Sequence, residues 1–272
     1  MEDKNYYLTL LVKLIATGRP STGVYAFLLT LLGFKYISWE GWLIGISAAF
    51  VFALVAMSIM TFNDIVDAPN DRRKLKLFAS DNRGALIVFW LIESVVIALA
   101  LIWVMTSSLW LGIFCATVWI VGLGYSFIPH WYVVQNIIVA LCSGSPALCA
   151  AIYTNHLDKW SVTTFALFVS IIWLNECYKD SQDETTDRGY KKTLPTELGW
   201  DESWLRLVSA LHIVGAVFFW HPNWWLQFLA VTIVPWLARD QVLARDDRKN
   251  VLRPLKTIRT TIKVVGLILY TT

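Results

Sequence analysis

Residues 42–74 read WLIGISAAFVFALVAMSIMTFNDIVDAPNDRRK, twenty-one residues without a charge that run directly into a stretch where three of nine residues are aspartate. A helix needs about 20 apolar residues to cross the hydrocarbon of a bilayer, so Trp42 to Phe62 reads as a membrane span with a carboxylate-rich end. Eight further apolar runs are Ser21 to Ile37, Ala85 to Met105, Leu109 to Ile128, Val133 to Tyr153, Val162 to Tyr178, Trp204 to Trp220, Trp224 to Leu237 and Ile258 to Tyr270. The expected fold class is therefore an all-α integral membrane protein, a bundle of about nine transmembrane helices forming one domain over 1–272. The last two runs are short and Lys263 interrupts the final one, so eight spans are the alternative. Tyr6 to Thr17 is apolar on one side and too short to cross, and residues 1–19 are expected to lie along the membrane interface. Residues 63–84 and 179–203 are the two aspartate-rich loops.

Composition agrees with this reading. The 272 residues are 57% hydrophobic and 16% charged, against about 25% charged in an average soluble domain. Glu2 and Asp3 stand where a cleavable signal would be basic, and the N-terminus is expected to be retained. With the N-terminus cytoplasmic and nine helices, 20 of the 23 lysines and arginines fall on the cytoplasmic side, as the positive-inside rule requires. The net charge of +3 is then membrane topology, and neither nucleic acid nor an obligate protein partner is implied. Cys115, Cys142, Cys149 and Cys177 all fall within apolar runs without metal-ligand spacing and read as small buried hydrophobes. Many of the fifteen tryptophans lie near span ends, where indoles anchor at the headgroups.

The chemistry is concentrated in two segments with one spacing. Asp64, Asp67 and Asp71 follow the second span, and Asp180, Asp183 and Asp187 follow the sixth. Offsets of three and seven at about 100° per residue place each trio within an arc of about 60° on one helix face. Glu176 extends the second stack by a turn. Pro69 predicts unwinding or a kink of the first segment after Asp67. Carboxylates this dense repel each other beside a low-dielectric medium and need a cation. Oxygen donors without nearby His or Cys favour Mg²⁺, with Mn²⁺ possible. The adjacent Arg72, Arg73, Lys74, Arg188, Lys191 and Lys192 suit an anionic phosphate. Metal and base together describe a diphosphate site.

Asn63-Asp64-x-x-Asp67-x-x-x-Asp71-Arg72 resembles the first signature of the UbiA superfamily of intramembrane prenyltransferases. The stretch from Glu176 through Asp180, Asp183, Asp187, Arg188, Gly189, Lys191, Thr193-Leu194-Pro195 to Leu198-Gly199 resembles the second. Tyr125-Ser126 is similar to a further family element, and Arg19-Pro20 to the usual start of the first helix. The resemblance implies helices around a central cavity, both motifs at its cytosolic mouth, and Mg²⁺-dependent ionisation of an isoprenyl diphosphate. The prenyl cation is then captured by a lipophilic, often aromatic, acceptor. The six aspartates would hold the metals, and Asn63, Arg72, Lys76, Tyr125, Glu176, Tyr178, Arg188 and Lys191 would contact substrate. Where family members continue with Asn-Arg-Pro, this chain reads Asn82-Arg83 without the proline, which leaves several basic residues of that segment as alternative diphosphate contacts.

Phe62, Tyr125, Trp173 and Tyr178 are candidate cavity-lining aromatics. Glu93, an acid within a span, and Asn136, an amide within another, each suit either a cavity or a helix-packing role. A terpene cyclase could use the same aspartates. A transporter is disfavoured, since its sites lie near the midplane, and two complete motifs argue against a mere scaffold.

Overall fold

The computed structural model describes residues 2–34, 39–71, 77–128, 132–158, 161–166, 168–169, 172–173, 176–177, 179–180 and 192–198; no strand occurs among them. The chain packs as two units, Met1–Pro129 with Leu141–Phe165, and His130–Ala140 with Ala166–Thr272.

In the first unit, α1 spans Glu2–Thr17, α2 Pro20–Gly33, α3 Trp39–Asp71, α4 Leu77–Asp81, α5 Arg83–Ser107 and α6 Leu109–Gly124. A 3-10 turn, Tyr125–Phe127, closes α6. Helix α7, Tyr132–Gly144, begins in the second unit, and a 3-10 turn at Ser145–Leu148 leads into α8, Cys149–Thr154. Pro146 stands at the start of that turn, where its missing N–H removes an α-helical bond and tightens the backbone. Among the described residues, four helical segments are long and apolar enough to cross a membrane, Trp39–Pro69, Arg83–Ser107, Leu109–Phe127 and Val134–Thr154. Tyr6–Thr17 and Pro20–Gly33 are shorter apolar helices. The expected spans at 204–220, 224–237 and 258–270 lie outside the described residues, and 162–178 lies partly outside them.

Helix α3 corrects one expectation. It does not unwind after Asp67 but continues with Pro69 inside it to Asp71. A proline this close to a C-terminus removes one ladder bond, from residue 69 to residue 65, and only the last turn lies beyond it. The first motif, expected as a loop from Asn63, is thus helical as far as Asp71, and helix returns at Leu77–Asp81.

Small and branched residues let α2 and α6 approach α3. Ala48, Ala49, Val51, Phe52, Val55, Ser58, Ile59 and Thr61 of α3 are buried, as are Leu29 and Thr30 of α2 and Leu111, Cys115 and Val118 of α6, and α3 packs against both of those helices. Without a hydrophobic drive between helices in lipid, close packing of small residues supplies the attraction. Buried hydroxyls are satisfied within their own helices: Thr30 donates to the Ala26 carbonyl at 2.8 Å and Thr61 to that of Met57 at 3.2 Å. Trp119 donates from Nε1 to Ser58 Oγ at 3.3 Å, tying α6 to α3. One residue, Ser108, ends α5 and caps α6 by accepting from the Leu111 N–H at 3.4 Å, which spares a helix-end donor.

The outward faces are apolar. Val88, Leu91, Ile92, Val95, Val96, Leu99, Ile102 and Trp103 of α5 are exposed, a continuous surface that only lipid solvates at low cost. Trp39 and Trp110, at the first turns of α3 and α6, are exposed as interfacial indoles are. Helix α1 exposes Tyr6, Tyr7, Leu8, Leu11, Val12 and Ile15 while Leu14 packs with Ile65, Ala68, Ala79 and Leu86. Lys13 Nζ stands 5.7 Å from the Phe78 ring centroid. Cys115, Cys149 and Cys177 are buried free thiols, and Cys142 is half-buried, as expected of small apolar residues.

An alanine Cβ at Gly45 would lie 2.6 Å from Cγ and 2.9 Å from Cβ of the buried Phe34. Those atoms sit at the root of a rigid side chain and cannot swing away. Gly45→Ala is expected to cost about 1–3 kcal/mol, read as a lower melting temperature in detergent. Gly84→Ala, where no atom lies within 4 Å, should leave it unchanged or raise it slightly.

Candidate diphosphate site

The first motif begins where α3 has run beyond the length a span requires. Asn63, Asp64 and Asp67 are half-buried on its last turns. Asn63 donates from Nδ2 to Asp67 Oδ2 at 2.9 Å, an i,i+4 bond along one face. Asn63 Oδ1 accepts from the Ser126 hydroxyl at 3.5 Å, so the 3-10 turn with the buried Tyr125 and Ser126 comes against this motif. Two of the elements singled out in the sequence, Asn63 and Tyr125-Ser126, therefore meet. Asp71 closes the helix.

A helix C-terminus carries partial negative charge and prefers cations, yet α3 has no basic residue in its last turn and ends through Asp67 and Asp71. One cation comes from elsewhere in the chain: Arg19 places Nη2 3.2 Å from Asp64 Oδ1 and Nη1 3.4 Å from Met60 Sδ. Arg19 adopts the left-handed conformation (φ 49°, ψ 70°) between α1 and α2, with Pro20 opening α2. Few non-glycine residues tolerate that region, and Pro20 already disfavours the right-handed helix for the residue before it. The sequence marked Arg19 only as the start of a helix; a pairing across 45 positions left no local signal.

In the second unit, Asp180 is 3% exposed and accepts from Asn136 Nδ2 of α7 at 2.7 Å, with Asn136 itself 2% exposed. The amide within the fifth apolar run is thereby explained as a partner of the second motif. Lys179 Nζ pairs with Glu176 Oε2 at 3.1 Å. Beyond them, Leu194–Leu198 forms a short helix with Thr193 before it: the Thr193 hydroxyl accepts from the Thr196 N–H at 3.4 Å, and the Thr193 N–H donates to the Thr196 hydroxyl at 2.8 Å. That reciprocal pair is a capping box with threonine in the acidic position, and it gives the Thr-Leu-Pro run a structural role. Arg72, Lys76, Asp183, Asp187, Arg188 and Lys191 lie outside the described residues, as do the side chains of Asp71 and Tyr178.

Among the described residues no three His, Cys, Asp or Glu side chains converge as a metal site. The donors gathered around the end of α3 are carboxylate, amide and hydroxyl oxygens. That donor set fits a hard divalent cation such as Mg²⁺.

No curated protein matches the chain. A solved structure from work on digeranylgeranylglyceryl phosphate synthase in membranes is similar, with a TM-score of 0.63 and 19% identity over 99% of this chain and 98% of that one. At that identity the likeness speaks to the fold alone. The UbiA prenyltransferase family is matched over residues 14–256, a stretch that holds both aspartate motifs, Arg19 and the Tyr125-Ser126 turn, and the chain belongs to that family.

Proposed function

We propose that this prenyltransferase ionises an isoprenyl diphosphate in a Mg²⁺-dependent reaction and passes the prenyl group to a lipophilic acceptor. The observation that carries the reading is the helical end of α3, where Asn63 and Asp64 stand one turn before Asp67 and Asn63 bonds Asp67 along one face. Asp64, Asp67 and Asp71, and likewise Asp180, Asp183 and Asp187, would hold two or more Mg²⁺ ions. When bound, Mg²⁺ neutralises charge on the departing diphosphate. The residues do the rest. Asn63 is fixed by its bonds to Asp67 and Ser126 and stays oriented toward diphosphate oxygens. Arg72, Lys76, Arg188 and Lys191 add positive charge, with Glu176, Tyr125 and Tyr178 as further substrate contacts.

The reaction this serves breaks the allylic C–O bond, with the electron pair leaving on diphosphate; the acceptor's electron pair then forms the new bond and its proton is lost. Water must be kept from the cation, so the prenyl chain would lie toward the apolar part of the helices, inward of the aspartates. Charge asymmetry supports an orientation with the N-terminus and both motifs cytoplasmic.

Purified protein incubated with geranyl, farnesyl or geranylgeranyl diphosphate, Mg²⁺ and a pool of aromatic and glyceryl phosphate acceptors should release diphosphate and yield a mass-shifted adduct. Asp67→Asn is expected to lower the rate at least 100-fold, on the order of removing one strong electrostatic stabiliser. Release without an acceptor, giving a hydrocarbon or terpene alcohol, would indicate a cyclase; no release with any of the three diphosphates would overturn the reading.

Asn136 bears on the second motif. Removing its amide leaves a buried carboxylate short of a donor, which is costly. Asn136→Ala should raise the Mg²⁺ concentration needed for half-maximal rate several-fold, while Asn136→Gln recovers part of the loss; an unchanged Mg²⁺ dependence in both would disconnect Asn136 from the metal.

A further inference from the structure

One turn deeper than Asp64, the first unit holds polar atoms that the diphosphate chemistry does not use. Thr61 precedes Asp64 by three residues, about 4.5 Å along the axis, and gives its hydroxyl proton to the Met57 carbonyl, while Glu93 stands on α5, which packs against α3. Glu93 Oε2 is buried with no hydrogen-bond partner among the described residues. Trp90 lies one turn before Glu93 on the same face of α5. Its Nε1–H is likewise buried without a partner there.

The Trp90 ring is part of an aromatic wall. The Phe62 ring lies 4.8 Å from that of Trp90 and 5.5 Å, edge to face, from that of Phe127. Phe62 precedes Asn63 and Phe127 follows Ser126, and that pair is bonded in the diphosphate site. The wall and the site are built from adjoining residues of the same two elements.

An unsatisfied polar atom in hydrocarbon costs several kcal/mol, and the described protein supplies no partner for either. We propose that Glu93 and Trp90 form a subsite for the hydroxyl group of the prenyl acceptor. A hydroxyl carries one donor and two acceptor lone pairs: its O–H satisfies the carboxyl oxygen and its oxygen satisfies the indole N–H. With the Glu93 carboxyl as acceptor, a ketone or ether oxygen could serve only Trp90, and an ammonium only Glu93. The wall of Phe62, Trp90 and Phe127 suits an apolar or aromatic body attached to that hydroxyl, and the one-turn offset from Asp64 puts the acceptor beside the carbon that diphosphate leaves. Calling the ligand the acceptor rests on the prenyltransferase reading above; the preference for a hydroxyl does not.

The test uses the full-length protein in detergent and a matched pair of probes, 4-heptylphenol and 4-heptylanisole, which differ by a methyl on the oxygen. Binding is read as a saturable rise in melting temperature, without diphosphate or Mg²⁺, so it is scored independently of turnover. The phenol should bind at least tenfold more tightly than the anisole. The preference should collapse in Glu93→Met and weaken in Trp90→Phe, while Glu93→Gln, which keeps an acceptor oxygen, retains part of it. Equal binding of the two probes to the native protein, or a preference that survives both Glu93→Met and Trp90→Phe, would overturn the subsite, the latter outcome leaving bound water to satisfy these atoms. Because the variants are compared on binding, the subsite can fail while diphosphate release is intact, and the release assay can fail while the subsite stands. If both hold, Glu93→Met should raise the acceptor KM without changing the KM for the prenyl diphosphate.

Discussion

The site depends on α3 staying helical after it has crossed the hydrocarbon. Its 33 residues span about 50 Å at 1.5 Å per residue, against a hydrocarbon core of about 30 Å. The surplus is the aspartate motif. Because this surplus is helix, three acids that a flexible loop would splay apart stay in one register, and the side chains that orient them can be built into the same ladder. Asn63 bonding Asp67, and Ser126 bonding Asn63 from the turn after α6, are possible only while that ladder holds.

Acids at a helix C-terminus oppose the backbone dipole, and the exposed Arg19–Asp64 pair offsets little of that. On the proposed function, a divalent cation and its diphosphate would add favourable charge at this end of α3. Packing of α2 and α6 against α3 fixes the helix that carries the motif. Glu93 is a further acid, carried within the apolar helix α5 at a cost.

Much of this was legible in the sequence. Hydropathy alone located α3, α5 and α6, since apolar runs near 20 residues have few other readings, and Ala85 to Met105 became Arg83–Ser107. It overran α2, which stops at Gly33 although the apolar run reaches Ile37. It also ended α3 too early, because the apolar signal stops at Phe62 and Pro69 argued for unwinding. Helix persisted because one lost bond near a terminus is a small penalty. The aspartate trios were found by spacing. Their partners were not, since Arg19–Asp64 and Asn136–Asp180 join residues 45 and 44 positions apart, and contacts of that kind follow from packing rather than from local pattern.

The central claim is that the end of α3 holds a hard divalent cation together with diphosphate. Electron paramagnetic resonance of Mn²⁺, whose six-line aqueous signal is lost on binding, tests it without turnover. Titrating Mn²⁺ into the protein with inorganic diphosphate should remove the aqueous signal beyond what diphosphate alone removes, and Asp64→Asn and Asp67→Asn should each abolish most of that excess. Equal loss of signal with native protein, with either variant and with diphosphate alone would contradict the account.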